Sequence, residues 1–254
     1  MSTKMVLATV VSQEQLLGDV YSMWLDVGDM AGDAKAGQFI ALYSSDHSRL
    51  LPRPISICEV APEKGSLRIV YRVVGKGTEE FSGYQAGDPV RITGPLGNGY
   101  PLLKAPAILV AGGIGIPPML ELARRLDCEK TIVLGYKDKL FLNKDFEPYG
   151  KVVISTEDGS CGVHGNALDA IREAKVTGQV IYSCGPTPML RAVKAYAEAQ
   201  GIEAYISLEE KMACGIGACL ACVCNSTEVD DHSHVHNKRI CKDGPVFNAR
   251  EVIL

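Results

Sequence analysis

The sequence predicts a multidomain protein of β and α/β parts: an antiparallel β-barrel, a parallel α/β domain, and a small C-terminal cysteine-rich lobe. Three observations carry that expectation. From Lys4 to about Arg91, short β-branched runs are broken by Gly, Pro and Asp, as in antiparallel barrels and sandwiches. Continuous apolar runs then alternate with segments of helical period, which implies a parallel, doubly wound sheet. From Ser207 onward periodic structure fades, and five of the nine cysteines fall between Cys214 and Cys241. The expected divisions are 1–101, 102–206 and 207–254.

The expected strands of the first part are KMVLATVV, VYSMWLDV, GQFIALYS, RPISICEV, SLRIVYRVV and DPVRITGP. In the second part PAILVA, TIVLGYKD, KVVISTED and QVIYSCGP read as apolar strands, with PMLELARRL, ALDAIREAK and MLRAVKAYAEAQG as the helices between them. The third part is expected to be held by a metal centre rather than a hydrophobic core.

The charge of −4 and the lack of any Lys/Arg block favour neither nucleic acid nor an anionic membrane as partner. No stretch reaches the roughly 18 uninterrupted apolar residues of a membrane span, and the first residues lack a basic region followed by an apolar run. A cytoplasmic protein is expected. In a reducing compartment, clustered cysteines in odd number speak for metal rather than disulfides.

Cys214, Cys219 and Cys222 follow a C-x4-C-x2-C spacing, with Cys241 after a polar stretch. That order matches the plant-type [2Fe–2S] pattern. Gly215, Gly217 and Ala218 supply the small residues that a wrapping loop needs. Structural zinc is the competitor, although its second C-x2-4-C knuckle is missing here. Cys224 is read as a spare thiol, with a fourth ligand from Cys224 instead of Cys241 as the alternative. His232, His234 and His236 between the last two cysteines read as a solvated turn, with a Rieske-type pair as the rival.

RPISI places Arg53 before a proline-fixed strand, where a guanidinium can pair with a pyrophosphate and Ser56 can reach a flavin edge. In YRVVGKGTEEF, Arg72 ends a strand and Gly75, Gly77 and Thr78 open a helix suited to phosphate; a glycine turn with a Thr cap is the plainer reading. PAILVAGGIGIPPML has the strand, glycine turn and helix of a dinucleotide site without the full G-x-G-x-x-G fingerprint. VIYSCGPTPML sets Cys184, Gly185 and Pro186 at the carboxyl edge of the same sheet. The two loops are expected to converge on one nicotinamide, while Cys184 can equally be a buried small hydrophobe.

A β-domain with RPIS and GKGT, an α/β domain with GGIGIPP and CGPTPML, and a cysteine-rich tail together resemble the ferredoxin–NADP reductase superfamily over the whole chain. LEEKMACGIGACLACVC and CKDGPVF are similar to the tail of the electron-transfer subunits of type B dihydroorotate dehydrogenase, and Ile55 within RPIS follows that branch. The resemblance implies that Arg53, Pro54, Ile55, Ser56, Val70, Tyr71, Arg72, Gly77 and Thr78 hold FAD. It implies an NAD side of Gly112, Gly113, Gly115, Cys184, Gly185 and Pro186, with Glu209 near the nicotinamide. Cys214, Cys219, Cys222 and Cys241 would carry the [2Fe–2S] cluster.

The function implied is a relay. In the family, an FMN-containing catalytic subunit oxidises dihydroorotate, and electrons pass through [2Fe–2S] and FAD to NAD+. The implied assembly is a heterotetramer of two subunits of each kind, with exposed apolar residues such as Leu220 and Val223 at the contact. Two rivals stand beside this. One is a subunit of an NADPH-dependent ferredoxin reductase or sulfide dehydrogenase, with Lys137 and Lys139 available to a 2′-phosphate. The other is a zinc-binding adaptor without catalysis.

Overall fold

A computed structural model describes residues 3–46, 48–229, 231 and 234–254. The first part contains strands β1 (Lys4–Leu17), β2 (Val20–Asp26), β3 (Phe39–Leu42), β4 (Arg53–Ala61), β5 (Ser66–Arg72) and β6 (Pro89–Leu96), with short helices α1 (Met30–Asp33) and α2 (Lys76–Ser82). These strands close into a barrel in the order β1-β2-β5-β4-β3-β6. Alternation along them turns Met23, Leu25, Ile40, Leu42, Ile57, Leu67 and Ile69 inward as one core, as the two-residue period of a strand demands.

The second part runs β7 (Ala107–Gly112), α3 (Pro117–Arg125), β8 (Lys130–Tyr136), α4 (Asn143–Phe146), β9 (Lys151–Thr156), β10 (Val163–His164), α5 (Ala167–Glu173), β11 (Val180–Cys184), α6 (Thr187–Gln200) and β12 (Glu203–Ser207). The last part adds β13 (Val223–Asn225), β14 (Asn237–Arg239) and β15 (Val246–Asn248). Among the described residues the large sheet has the order β10-β9-β8-β7-β11-β12-β15. Its strands are parallel from β10 to β12, and β15 closes the edge antiparallel to β12. Because β7 is flanked by β8 on one side and β11 on the other, the strand order reverses there. In open α/β sheets ligands bind at such a switch point, outside the carboxyl ends.

The cysteine lobe is not held apart from the hydrophobic core. Cys222, Ile240, Cys241, Phe247 and Val252 belong to the apolar cluster that also holds Ile108, Ile181, Leu190 and Ile206. Strand β15 explains why: it hydrogen-bonds the lobe into the sheet edge, and its Phe247 goes in with it. The sequence reading missed β12 and β15, since EAYIS and VFN are short and lack a distinctive alternation.

The barrel is fused to the sheet on another side. Val20, Cys58 and Val70 share a cluster with Met119, Leu122, Leu134 and Tyr182. Helix α3 is buried from Pro117 to Ala123 because it lies between β4 and the sheet. At the barrel's end the Asn98 side chain donates to Lys242 O and Asp243 O, each at 3.0 Å, and its peptide N–H donates to Gly244 O at 2.6 Å. Gly97, at φ +71, allows this approach, since a Cβ there would stand 2.5 Å from Pro245 Cδ.

No helix among the described residues is long and apolar enough to cross a membrane. Because Phe247 ties the lobe to the shared core, Phe247→Ala should cost about 3–5 kcal/mol and lower iron retention. Denaturant unfolding and iron analysis check this, and an unchanged midpoint would contradict it.

Candidate functional site

The carboxyl ends of β7 and β11 lie in register, with Ala111 opposite Cys184. The turns that follow pack backbone to backbone. A Cβ on Gly115 would stand 2.4 Å from Cys184 O and 2.6 Å from Gly185 Cα, and one on Gly185 would stand 3.1 Å from Gly112 N. Only glycine fits at position 115, and the Gly185 contact is tight, so the two sequence motifs do meet at one edge. Gly113, at φ +54, has no atom within 4 Å of its would-be Cβ. The outer side of the turn is therefore open to a ligand's phosphates, and a dinucleotide fits the cradle.

Cys184 is half-buried, and burial pushes its thiol up to about 12, opposed by a hydrogen bond with Ser207 and reinforced by the Glu209 carboxylate. Glu209 itself is exposed. Pro186 directly precedes α6, and Met189 on that helix lies against Gly112 and Gly185. Tyr100, which the sequence did not single out, runs beneath this edge. Its buried hydroxyl donates to Ser183 O at 2.9 Å, and its N–H donates to Ala36 O of the barrel at 2.9 Å.

On the barrel, β4 pairs with β3 so that Arg53 faces Leu42, Pro54 faces Ala41, Ile55 faces Ile40 and Ser56 faces Phe39. All four β4 residues are half-buried. The Arg53 guanidinium donates to Leu51 O and lies against Gly77, where a Cβ would stand 2.3 Å from its Nε. RPIS and GKGT are thus one surface, and a flavin diphosphate fits a guanidinium held over a glycine turn.

Thr78 is engaged locally. Its Oγ1 accepts from Val74 N at 3.0 Å and Gly75 N at 3.2 Å and donates to Gly75 O at 2.9 Å. Its side chain shapes the turn. Tyr71 turns inward, donating to Gln13 Oε1 at 2.9 Å and stacking on Tyr21. Burial pushes its hydroxyl well up. Val70 is buried against α3 and the parallel sheet, and Arg72 Nε stands 3.1 Å from Asp19 Oδ2.

In the cysteine loop, peptide N–H groups point at sulfur. Ile216 N and Ala218 N donate to Cys214 Sγ at 3.5 and 3.3 Å, Gly217 N donates to Cys241 Sγ at 3.1 Å, and Cys241 N donates to Cys222 Sγ at 3.4 Å. Gly215 and Gly217, at φ +70 and +82, let the chain wrap this way. The Cys214 thiol hydrogen-bonds Cys219 and the Cys241 thiol hydrogen-bonds Cys222, with Cys214 near enough to Cys241 to act on it electrostatically. A two-iron cluster, which takes two thiolates at each iron, fits that arrangement. Among the described residues no group of three or more His, Cys, Asp or Glu converges on a single ion.

Burial opposes ionisation of Cys214, but hydrogen bonds from Ile216, Cys219 and Ala218 outweigh it and bring the thiol to about 6. Burial and the hydrogen bond with Cys222 push Cys241 up to about 12. Cys224 sits in β13 against the shared core, where burial pushes it up to about 11. Arg239, which sequence reading also missed, is buried and hydrogen-bonds Asp243 at 3.0 Å. Its Nη1 reaches Gly217 O at 3.5 Å, bracing the loop. Ile216 and Leu220 are exposed beside the thiols, whereas Val223 is half-buried in β13. His234 and His236 are exposed, and His232 lies outside the described residues.

Residues 209–253 match the family model of the iron-sulfur cluster binding domain of dihydroorotate dehydrogenase B. The electron transfer subunit of dihydroorotate dehydrogenase B (NAD(+)) from Geobacillus thermodenitrificans (strain NG80-2) is 41% identical over 256 residues, covering 97% of each chain. The chain belongs to this family of electron transfer subunits. The subunit of the same description from Listeria monocytogenes serotype 4a (strain HCC23) is 42% identical, covering 96% of this chain and 97% of its own.

Among solved structures, that of an NADH-dependent reduced ferredoxin-NADP oxidoreductase, described for flavin-based electron bifurcation, superposes with a TM-score of 0.88. It is 28% identical and covers 98% of this chain and 90% of its own. The flavohem-like FAD/NAD binding domain of nitric oxide dioxygenase from Vibrio cholerae shares the fold, at 18% identity and a TM-score of 0.68, over 80% of this chain and 98% of its own.

A thiol at about 6 is mostly thiolate at pH 7, and the thiolate is the nucleophile. In cluster-free protein, iodoacetamide should therefore label Cys214 at a rate that rises through pH 6 and levels off above about 7, with Cys224 and Cys241 slow throughout. Peptide mass spectrometry after brief alkylation reads this. Cys214 labelling no faster than Cys224 would contradict it.

Proposed function

We propose that this chain is the electron-transfer subunit of an NAD-dependent dihydroorotate dehydrogenase of pyrimidine biosynthesis. It serves an FMN-containing catalytic subunit in the cytoplasm as a heterotetramer of two subunits of each kind. The observation that carries the reading is the cysteine loop, with peptide N–H groups aimed at its sulfurs, packed against both other parts of the chain. Gly215 lies near Leu96 of the barrel, and Cys222 and Cys241 lie in the core of the nucleotide sheet.

The units are 1–101 for FAD, 102–206 for NAD and 207–254 for the cluster. Arg53, Pro54, Ile55 and Ser56 hold FAD, with Arg53 on its diphosphate, together with the backbone of Val70, Tyr71 and Arg72 and the Gly77–Thr78 turn. Gly112, Gly113 and Gly115 bind the dinucleotide phosphates. Cys184, Gly185 and Pro186 floor the nicotinamide site, with Glu209 at its rim. Cys214, Cys219, Cys222 and Cys241 ligate [2Fe–2S]. When bound, these groups supply single-electron transfer at the cluster and hydride exchange between flavin and nicotinamide.

The protein's own part is to fix their spacing, exclude water from the joint and charge-compensate the cluster through peptide N–H groups. A second reading, a subunit of an NADPH-dependent ferredoxin reductase, is favoured by the 0.88 TM-score to the bifurcating enzyme.

The test is to mix the purified chain with an FMN-containing dihydroorotate dehydrogenase subunit and assay dihydroorotate with NAD+ and with NADP+. NADH formation only when both chains are present supports the proposal; a preference for NADP+ or indifference to dihydroorotate supports the second reading. Ile216 and Leu220 are placed at the subunit contact, the latter in a left-handed conformation at φ 57 that presents it beside Cys219. Leu220→Asp should weaken co-purification of the partner at least tenfold with iron content unchanged. Intact complex formation would contradict that placement.

A further inference from the structure

A buried carboxylate joins the nicotinamide side to the flavin strand. Glu121 lies midway along α3 and has 0% of its surface exposed, on a helix otherwise lined by Met119, Leu120, Leu122 and Ala123. Its Oε2 accepts the Val60 N–H of β4 at 3.1 Å. Arg125 Nε donates to Oε1 at 2.5 Å. Arg124 Nη1 stands 3.4 Å from Oε2 and donates to Val60 O at 2.8 Å. Strand β3 pairs with β4 only as far as Ser56, so among the described residues no strand lies beside the rest of β4 on that side. Glu121 and Arg124 complete that edge, one accepting from and the other donating to the same residue.

The joint is demanding in a way that apolar packing is not. An ionised carboxylate taken out of water is tolerated only with its hydrogen bonds in place, and those bonds have narrow angular tolerance. Sliding α3 along β4 would leave the Val60 N–H and the Val60 carbonyl unsatisfied together, since Glu121 and Arg124, which serve them, both travel with the helix. Glu121 is four residues, about 6 Å, along α3 from Pro117, which stands two residues after Gly115, and Val60 is four residues from Ser56, about 13 Å along a strand. These are short, stiff levers, and a displacement of about 1 Å at reacting centres costs about a hundredfold in rate.

We infer that Glu121 is a positioning residue for hydride exchange, fixing the nicotinamide loop on the flavin strand. It acts through Val60 and α3 and touches neither cofactor. A flavin held at residues 53–56 and a nicotinamide held beside residues 112–115 would exchange a hydride in either direction, NADH and NAD+ interconverting as the flavin gains or loses two electrons, and the part of Glu121 is to keep the two binding elements aligned. The inference rests on assigning residues 53–56 to flavin and 112–115 to the dinucleotide.

The test uses the holoenzyme with its partner, comparing wild type, Glu121→Ala and Glu121→Gln. Glu121→Ala should slow flavin reduction at saturating NADH tenfold or more. NADH affinity should change less than threefold, flavin and iron should be retained, and the Val60 amide should lose hydrogen-exchange protection. Glu121→Gln keeps an acceptor for Val60 N–H and should recover most of the rate. A wild-type rate in Glu121→Ala, or a slowing only in proportion to lost flavin, would overturn the inference.

Should Glu121→Ala not fold, Arg124→Ala decides: intermediate slowing with flavin and iron retained and the Val60 amide deprotected supports the role, and a wild-type rate overturns it. Failure of NADH to reduce the wild-type flavin would instead overturn the dinucleotide assignment, and this inference with it, without recourse to any variant.

Discussion

The chain is organised around the close approach of two turns at the reversal point of its parallel sheet. Gly115 lies against the carbonyl of Cys184 at a distance that no side chain tolerates, and Gly185 packs tightly against Gly112. Strands β7 and β11 must run side by side for this to occur, and α3 must leave the first turn at a fixed angle. That angle brings α3 onto β4 and so sets where the barrel sits. On the other side, β12 and β15 extend the same sheet into the cysteine lobe. One backbone contact therefore governs the placement of three prospective cofactor sites.

Burial then makes the arrangement cooperative. Barrel residues Val20, Cys58 and Val70 share a core with the sheet, and cluster-loop residues Cys222 and Cys241 share another. Polar bonds such as Tyr100 to Ser183 and Asn98 to Lys242 align the parts without adding much apolar area. A hydrogen bond such as that of Tyr100 contributes little net energy but is costly to leave unmade because it is buried. Such bonds act as register marks between parts of the chain. An electron relay needs such fixity, because transfer between cofactors depends on their spacing.

Much of this was legible in the sequence because glycine and proline punctuate it where the backbone does something unusual. RPIS, GKGT, GGIGIPP and CGP mark a barrel strand, a tight turn and two close approaches, and the cysteine spacing marks a wrapped loop. What escaped reading is long-range. Asn98 meets residues 144 and 145 positions away, and β15 is three residues long with no period of its own. The lobe was expected to lean on metal alone, yet Phe247 and Ile240 give it a share in the sheet's core. Glu121 did leave a trace: an acidic residue amid buried positions of PMLELARRL, with arginines three and four places on. Its partner Val60 could not be read from sequence at all.

The central claim is that nicotinamide, flavin and cluster sites form one path within a single packed body. The most direct measurement is anaerobic addition of NADH to the purified chain alone, following flavin absorbance and the electron paramagnetic resonance of the cluster together. The account predicts one flavin and two irons per chain, with flavin bleaching and a reduced-cluster signal appearing without the partner subunit. Flavin reduction with a cluster that stays oxidised, or zinc in place of iron, would contradict it.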